Sequence, residues 1–280
     1  VNKNKRQSLL CPNCHRLISA DEPHCPYCGL SRPGSRLKRD YLGRLLSHPE
    51  EIIRLIIYLN VAMFVYTLLL NPGGMKFSSN PLAFLSPSNR SLLLVGATGR
   101  IPIDQFHRWW TLIAASFLHG GILHIFFNMM ALKQLGPFVV REYGLDRFLI
   151  IYTISGIVGF LVSYLVGVPL TIGASASICG LIGAILYYGK TRGGTYGEAI
   201  YRQAMGWIVG LAVFGLMIPG INNWGHGGGI VAGIVGGIVL GYREKKMPTM
   251  THQLLAMISV VMTILVLGWA VVQSLMISFM

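Results

Sequence analysis

The sequence predicts an all-α, multi-span membrane protein preceded by a small zinc-ribbon-like domain. Three observations carry that prediction. The 280-residue chain is 53% hydrophobic, with a mean hydropathy of +0.57. Only 12% of its residues are charged, about half the ~25% share of a soluble domain. Two Cys-x-x-Cys pairs stand ahead of apolar runs that recur from residue 52 to the end. Those runs exclude a water-soluble enzyme.

The first element covers residues 1–30. "CPNCH" starts at Cys11 and "CPYCG" at Cys25. Two knuckles at this spacing place the thiolates of Cys11, Cys14, Cys25 and Cys28 around one zinc ion. So short a unit cannot bury a useful apolar core, so the metal supplies its folding energy. A reducing cytoplasm disfavours the alternative, two disulfides. His15 and His24 adjoin the knuckles and are not needed as ligands. Residues 31–50, "SRPGSRLKRDYLGRLLSHPE", read as a basic linker suited to anionic headgroups.

Seven apolar segments follow, at about 52–70, 110–133, 148–168, 173–189, 204–219, 225–242 and 254–277. The first 50 residues hold no apolar stretch of the signal-peptide kind, so the first span is expected to target and anchor the chain. Charges between the spans set the orientation. Arg141 and Arg147, then Lys190, Arg192 and Arg202, then Arg243, Lys245 and Lys246 follow alternate spans, while "GVPLT" and "PGINNW" carry none. This pattern predicts a cytoplasmic amino terminus and, after seven spans, an outer carboxyl terminus. The loop at about 71–109 is long and holds Lys76, Arg90, Arg100 and Arg108. It is expected outside, folded against the helices or the membrane interface. The net charge of +13 follows this topology, so nucleic acid is not an expected partner.

Candidate chemistry begins at "TIGASASICG", Thr171 to Gly180. A membrane serine can bond its own backbone, so Ser175 alone reads as structural. His226, in "NNWGHGGGIVAGIVGG", is expected at similar depth on the same side. Gly225, Gly229, Gly233, Gly237 and Gly241 form a bare stripe on that segment. Ala176, Gly180, Gly183 and Ala184 offer small positions on the other, so the two backbones can approach closely. A serine–histidine pair performs nucleophilic acyl transfer. Asp104, Glu142, Asp146 and Glu198 fall elsewhere, so a dyad is expected. The oxyanion needs donors. His124 and Asn128, four apart in "FLHGGILHIFFNMM", share a helix face and can supply them with the Ser175 N–H. His119 lies nearer the outside and shapes the loop or the start of the helix. Glycine packing around a buried neutral histidine, and interhelical bonding by His124, are the structural alternatives.

"HGGILHIFFN", "GASASICGLIGA" and "NNWGHGGGIVAG", in this order, resemble the rhomboid family of intramembrane serine proteases. "IIYLNVAMFVY" and "REYGLDRF" are similar too, and the resemblance covers about 50–245. It implies a six-helix catalytic core over 51–245, with 246–280 as a seventh transmembrane helix. It also implies Ser175 as nucleophile, His226 as base, and His124 and Asn128 as oxyanion-stabilising side chains, with His119 matching the outer histidine of the motif. No cofactor is implied for catalysis. The implied substrates are transmembrane or membrane-adjacent peptides cut near the outer face, with small residues at the cleavage site and helix-weakening residues beyond it. The serine helix would start low, in a water-filled recess.

Two departures stand out. The family's usual glycine after the serine is Ala176 here, and its loop Trp-Arg pair appears as His107 and Arg108, followed by Trp109 and Trp110 as interfacial anchors. Ser177 lies about 200° around the helix from Ser175 and fits a structural helix bond. Cys179 fits buried packing. A multi-pass plasma (inner) membrane protein is expected, with transmembrane proteins as substrates, membrane lipids around it, and a cytoplasmic protein partner for the zinc module. The alternative functions are a noncatalytic rhomboid-like protein that binds transmembrane clients and, from a different class, a small transporter or channel.

Overall fold

The computed structural model describes residues 8–11, 14, 16–34, 49–74, 76–77, 84–218 and 220–278. Most of the expected linker, residues 35–48, and His15 lie outside the described residues.

The amino-terminal module is a two-stranded antiparallel hairpin, β1 (Ser8–Leu10) and β2 (Leu17–Ser19), in register Leu9 to Ile18. Its core is Ile18 with the cysteines. The membrane part opens with α1 (Pro49–Leu69). The expected long loop does fold against the helices. It contains the two-stranded pair β3 (Lys76–Phe77) and β4 (Phe84–Ser86), then α2 (Asn89–Val95) and α3 (Arg100–Phe106). Ser88 caps α2 by accepting the Ser91 N–H at 3.1 Å. A short α4 (Thr111–Ala114) and a 3₁₀ turn over Ala115–Phe117 lead to α5 (Ile122–Tyr143). Then follow α6 (Leu145–Leu165), α7 (Ser175–Arg192), α8 (Gly194–Met217), α9 (Asn223–Leu240) and α10 (Met250–Ser278).

The expectation of six core spans plus a seventh is corrected here. Among the described residues five helices are long and apolar enough to cross a membrane: Glu51–Leu69, Ile122–Tyr143, Leu145–Leu165, Gly194–Met217 and Met250–Ser278. This supports an all-α, multi-pass membrane protein. The helices at two of the expected spans, α7 and α9, fall short. Each has 18 residues and spends many of them on Gly, Ser, Asn or charge. In α9 the buried positions are mostly the glycines that meet its neighbours, and in α7 the reason is what covers the helix. Most of α7 is buried in protein, from Ala176 through Ile185, so protein rather than lipid sets its composition. By contrast only 17% of the apolar stretch of α8 is buried, which leaves that helix apolar outward.

The main core joins Leu132 and Val139 of α5, Phe148 and Ile151 of α6, and Leu181 and Tyr188 of α7. A second core sits under the loop helices, where Val95, Ala114 and Leu118 meet Met63 of α1 and Ala270 of α10. Tyr66 and Ser274 share a 2.7 Å hydrogen bond there. A cluster of basic residues lies at the opposite end. Arg192 pairs with Glu244 at 2.7 Å, the Arg243 N–H donates to Glu142 O, and buried Arg147 donates to the carbonyls of Lys246 and Met247. That last contact ties the α9–α10 connection to α6.

The contact of α7 with α9 is backbone on backbone. A side chain at Gly229 would overlap the Ala176 carbonyl, one at Gly233 the Gly180 carbonyl, and one at Gly183 the Ile230 carbonyl. Of the expected stripe, Gly229 and Gly233 perform this close approach, whereas Gly225 faces Ser163, Gly237 meets the Tyr187 ring and Gly241 lies past the end of α9 against Lys246.

Candidate active site

Ser175 is the first residue of α7, and the preceding Ala174 supplies no side-chain cap. The first-turn N–H groups of an 18-residue helix are thus available beside the serine, at the positive end of the helix dipole. The segment before it is pinned. Thr171 exchanges both backbone hydrogen bonds with Thr98, at 3.1 and 2.7 Å, and the Gly173 N–H donates to Ala115 O at 2.9 Å.

Gly173 is required twice over. Its φ is +122°, a backbone state that L side chains rarely adopt. A methyl there would also stand 2.8 Å from His124 Nε2 and 3.7 Å from Ser175 Oγ. The same small space is therefore shared by the turn, the serine hydroxyl and the His124 ring. His124 Nδ1 accepts the Gly120 N–H at 3.2 Å. That bond fixes the neutral tautomer with its proton on Nε2, the atom facing the turn. Asn128 is buried and donates Nδ2 to His124 O at 2.8 Å, which leaves the second amide hydrogen for another acceptor. His119 is fully buried, its ring edge-on to His124 at 5.1 Å between centroids.

His226 lies in the first turn of α9, its N–H donating to Asn222 O at 3.2 Å. Its chain neighbour Gly225 and the serine's neighbour Ala176 flank one point on α6. A methyl on Gly159 would stand 2.5 Å from Gly225 O and 2.8 Å from Ala176 Cβ. The register of the glycine interface thus carries His226 to the level of Ser175. His226 Nδ1 has no hydrogen-bond partner among the described residues.

The other sequence expectations sort clearly. The Ala176 methyl is accommodated by bare Gly159. Ser177 is fully buried and aimed at Gly156 and Ser116, a different direction from Ser175. Its hydroxyl makes no helix bond, contrary to expectation, and has no partner among the described residues. Cys179 packs against Gly229, as expected. Arg108 anchors the long loop by donating to Leu93 O at 3.0 Å. Trp109 faces outward against Tyr164, while Trp110 turns inward onto Gly96. Asn222 was missed. Its one sequence signal is the Asn-x-x-Gly spacing of a helix cap, and its Oδ1 accepts the Gly225 N–H at 3.0 Å.

At the amino terminus, Sγ atoms of Cys11, Cys14, Cys25 and Cys28 all lie within 4.8 Å of one another, a cluster able to coordinate a metal ion. Cys11 and Cys28 are 3.6 Å apart, as are Cys14 and Cys25. A tetrahedral site with metal–sulfur bonds of about 2.3 Å has edges of roughly 3.8 Å, so the donor set fits one zinc-sized ion. Burial pushes the Cys14 thiol up. At Cys25 burial acts in the same direction, but hydrogen bonds from the Tyr27 and Cys28 backbone outweigh it and lower the thiol to about 7. Thiolate formation is thereby easier at Cys25 than at Cys14.

Residues 107–243 match the Rhomboid domain family. Rhomboid protease GluP of Bacillus subtilis (strain 168) is 35% identical over 156 residues, 56% of this chain and 31% of the relative. In Arabidopsis thaliana, RHOMBOID-like protein 4 is 29% identical over 207 residues, 68% of this chain and 52% of its own. RHOMBOID-like protein 5 is 35% identical over 167 residues, 58% of this chain and 53% of its own. The chain thus spans between a third and about half of the length of these relatives. Residues 107–243, just under half of the chain, are thus similar to the Rhomboid domain family.

Proposed function

We propose that this chain is an intramembrane serine endopeptidase that cuts transmembrane or membrane-adjacent peptides at the end of the bundle opposite the basic cluster. The observation that carries the reading is the shared space at Gly173. There the Ser175 hydroxyl, the Nε2–H of His124 and the open amino end of α7 converge. Likeness to a protein named as a rhomboid protease agrees with it.

In this reading the His226 imidazole takes the Ser175 proton as Oγ attacks the scissile carbonyl carbon. The carbonyl π pair moves to oxygen. That oxyanion is met by the Ser175 N–H, His124 Nε2–H and the remaining Asn128 amide hydrogen. The imidazolium then protonates the leaving amine as the C–N bond breaks, giving an ester on Ser175. Water attacks the ester with His226 again as base, which returns the serine. With no carboxylate assigned to Nδ1, orientation of the imidazole falls to packing and the helix cap.

The basic end is assigned to the cytoplasm by the positive-inside rule, in a plasma (inner) membrane, with Ser175 and the end of α10 outside. The module around Cys11, Cys14, Cys25 and Cys28 holds a structural zinc ion and docks a cytoplasmic protein partner. Vesicle-reconstituted protein tests the main reading. Cleavage of a transmembrane peptide panel should vanish with Ser175→Ala and with His226→Ala and persist with Ser177→Ala. Cleavage surviving Ser175→Ala would remove the assignment. For the docking role, deletion of residues 1–30 should abolish a specific cytoplasmic contact in pulldowns, and unchanged capture would refute it.

A further inference from the structure

Asn222 joins three separate segments through one side chain. Its Nδ2 donates to Ser163 Oγ at 2.7 Å and to Thr171 Oγ1 at 2.8 Å, and its Oδ1 accepts the Gly225 N–H at 3.0 Å. Ser163 belongs to α6 and passes the chain on, donating to Gly159 O at 2.8 Å. Thr171 is four residues before Ser175, in the segment clamped to Thr98. Asn222 is itself four residues before His226 and accepts that residue's N–H on its backbone carbonyl. One amide therefore ties the lead into the serine to the lead into the histidine, with α6 as a third fixed point.

A plain helix cap needs only the Gly225 bond. The two donations from Nδ2 reach residues 59 and 51 positions away in sequence and add nothing to capping. They do fix the separation of α9 from the Thr171–Ser175 segment, at the end of the interface where Ser175 and His226 stand. Below that level the spacing is held by glycine contacts. Above it, among the described residues, this amide is the side chain that bonds the two segments directly.

We propose that Asn222 is a positioning residue that sets the approach of His226 to Ser175, a role that rests on the serine–histidine reading above. It touches no substrate. Its loss lets α9 shift against the Thr171–Ser175 segment, which slows proton transfer and leaves peptide binding in place. Because Ser163 and Thr171 carry hydroxyls, which donate as well as accept, a carboxylate of the same shape keeps all three contacts with reversed donors, the Ser163 proton turning from Gly159 O to the carboxylate. Asn222→Asp is thus the conservative variant, and Asn222→Leu is the near-isosteric variant that removes the network.

The test is the rate of Ser175 labelling by a fluorophosphonate, together with kcat and KM for a model transmembrane peptide. Both use the full chain in vesicles and are normalised to folded protein. Asn222→Leu should lower kcat and the labelling rate together by about tenfold or more, as expected for a displacement of catalytic groups, with KM within twofold. Asn222→Asp should stay within threefold of the parent. Thr171→Val removes one bond of the three and should give a smaller loss of the same kind. It carries the test if Asn222→Leu does not fold. Parent-like labelling in Asn222→Leu, or in Thr171→Val when it stands in, would overturn the proposal. So would activity that falls only in step with the folded fraction, or an Asn222→Asp variant as slow as Asn222→Leu. A Ser175→Ala control separates the two levels. If that control still cleaves, the serine–histidine reading fails and the positioning role with it. If it is inactive while Asn222→Leu works normally, only the positioning role fails.

Discussion

Replacing Gly233 with alanine should disable the site from two helical turns away. A methyl on Gly233 would overlap the Gly180 carbonyl oxygen and stand 2.6 Å from its carbon and 2.7 Å from its Cα. All three are backbone atoms of α7, so no rotamer change relieves them. The helices must part by the better part of an ångström to restore ordinary contact. Alanine is the better helix former by about 1 kcal/mol, but overpacking of this kind costs roughly 1–3 kcal/mol. Net destabilisation of up to about 2 kcal/mol is expected. A shift near 1 Å between catalytic groups costs about 10²-fold in rate, so cleavage should fall much further than stability. Gly227→Ala is the internal control. A methyl there meets nothing within 4 Å, so it should keep activity and gain up to about 1 kcal/mol. The assay pairs peptide cleavage in vesicles with thermal unfolding in detergent. Equal behaviour of the two alanine variants would refute the argument that backbone contact sets the register of α7 and α9.

Other expectations follow from the same geometry. Gly173→Ala should abolish fluorophosphonate labelling of Ser175 while the protein still folds, because it strains a φ of +122° and intrudes on His124 Nε2. The strain is on the order of 1–3 kcal/mol, and normal labelling would contradict it. Gly159→Ala should lower thermal stability by about 1–3 kcal/mol. Adding Ala176→Gly should restore part of it, since that removes one of the two contacts at 2.5 and 2.8 Å. No recovery in the double variant would mean that Ala176 does not sit against Gly159. Zinc titration of the full chain should show one site that Cys11→Ser destroys, with the labelling of Ser175 unchanged. Ligand thiols must be ionised. Protons compete with zinc for these thiolates, most strongly at Cys14, whose thiol burial pushes up, so zinc retention should weaken steadily as pH falls. Retention that is flat from pH 8 to 5 would contradict thiolate ligation.

The candidate site was read from side chains whose chemistry is out of place in an apolar run. Ser175, His226, His124 and Asn128 stand out there, and the charge pattern put serine and histidine at one depth. The glycine repeat announced the α7–α9 contact, and the spacing of the cysteines announced their cluster. The span count was not legible. An apolar run reads alike whether lipid or protein covers it, and α7 is covered by protein. Two boundaries also moved. The run expected at about 110–133 is broken at Gly120 and Gly121, so that α5 starts at Ile122 and continues through Pro137 to Tyr143. The run expected at about 204–219 begins at Gly194, because the polar first turns of α8 stay helical while facing outward. Asn222 was hidden for a different reason. Its meaning lies in Ser163 and Thr171, and no local pattern connects residues that far apart. Ser177 shows the limit of helical phase alone, which separated it from Ser175 but not from a helix bond it does not make.

The central claim is that Ser175 is a nucleophile activated by His226. The most direct measurement is site mapping of a fluorophosphonate adduct by peptide mass spectrometry, on the parent protein and on Ser175→Ala, Ser177→Ala and His226→Ala in vesicles. The account predicts a single adduct on Ser175, lost with Ser175→Ala, slowed by orders of magnitude with His226→Ala and unchanged with Ser177→Ala. An adduct on Ser177, or one on Ser175 that forms equally fast without His226, would contradict it.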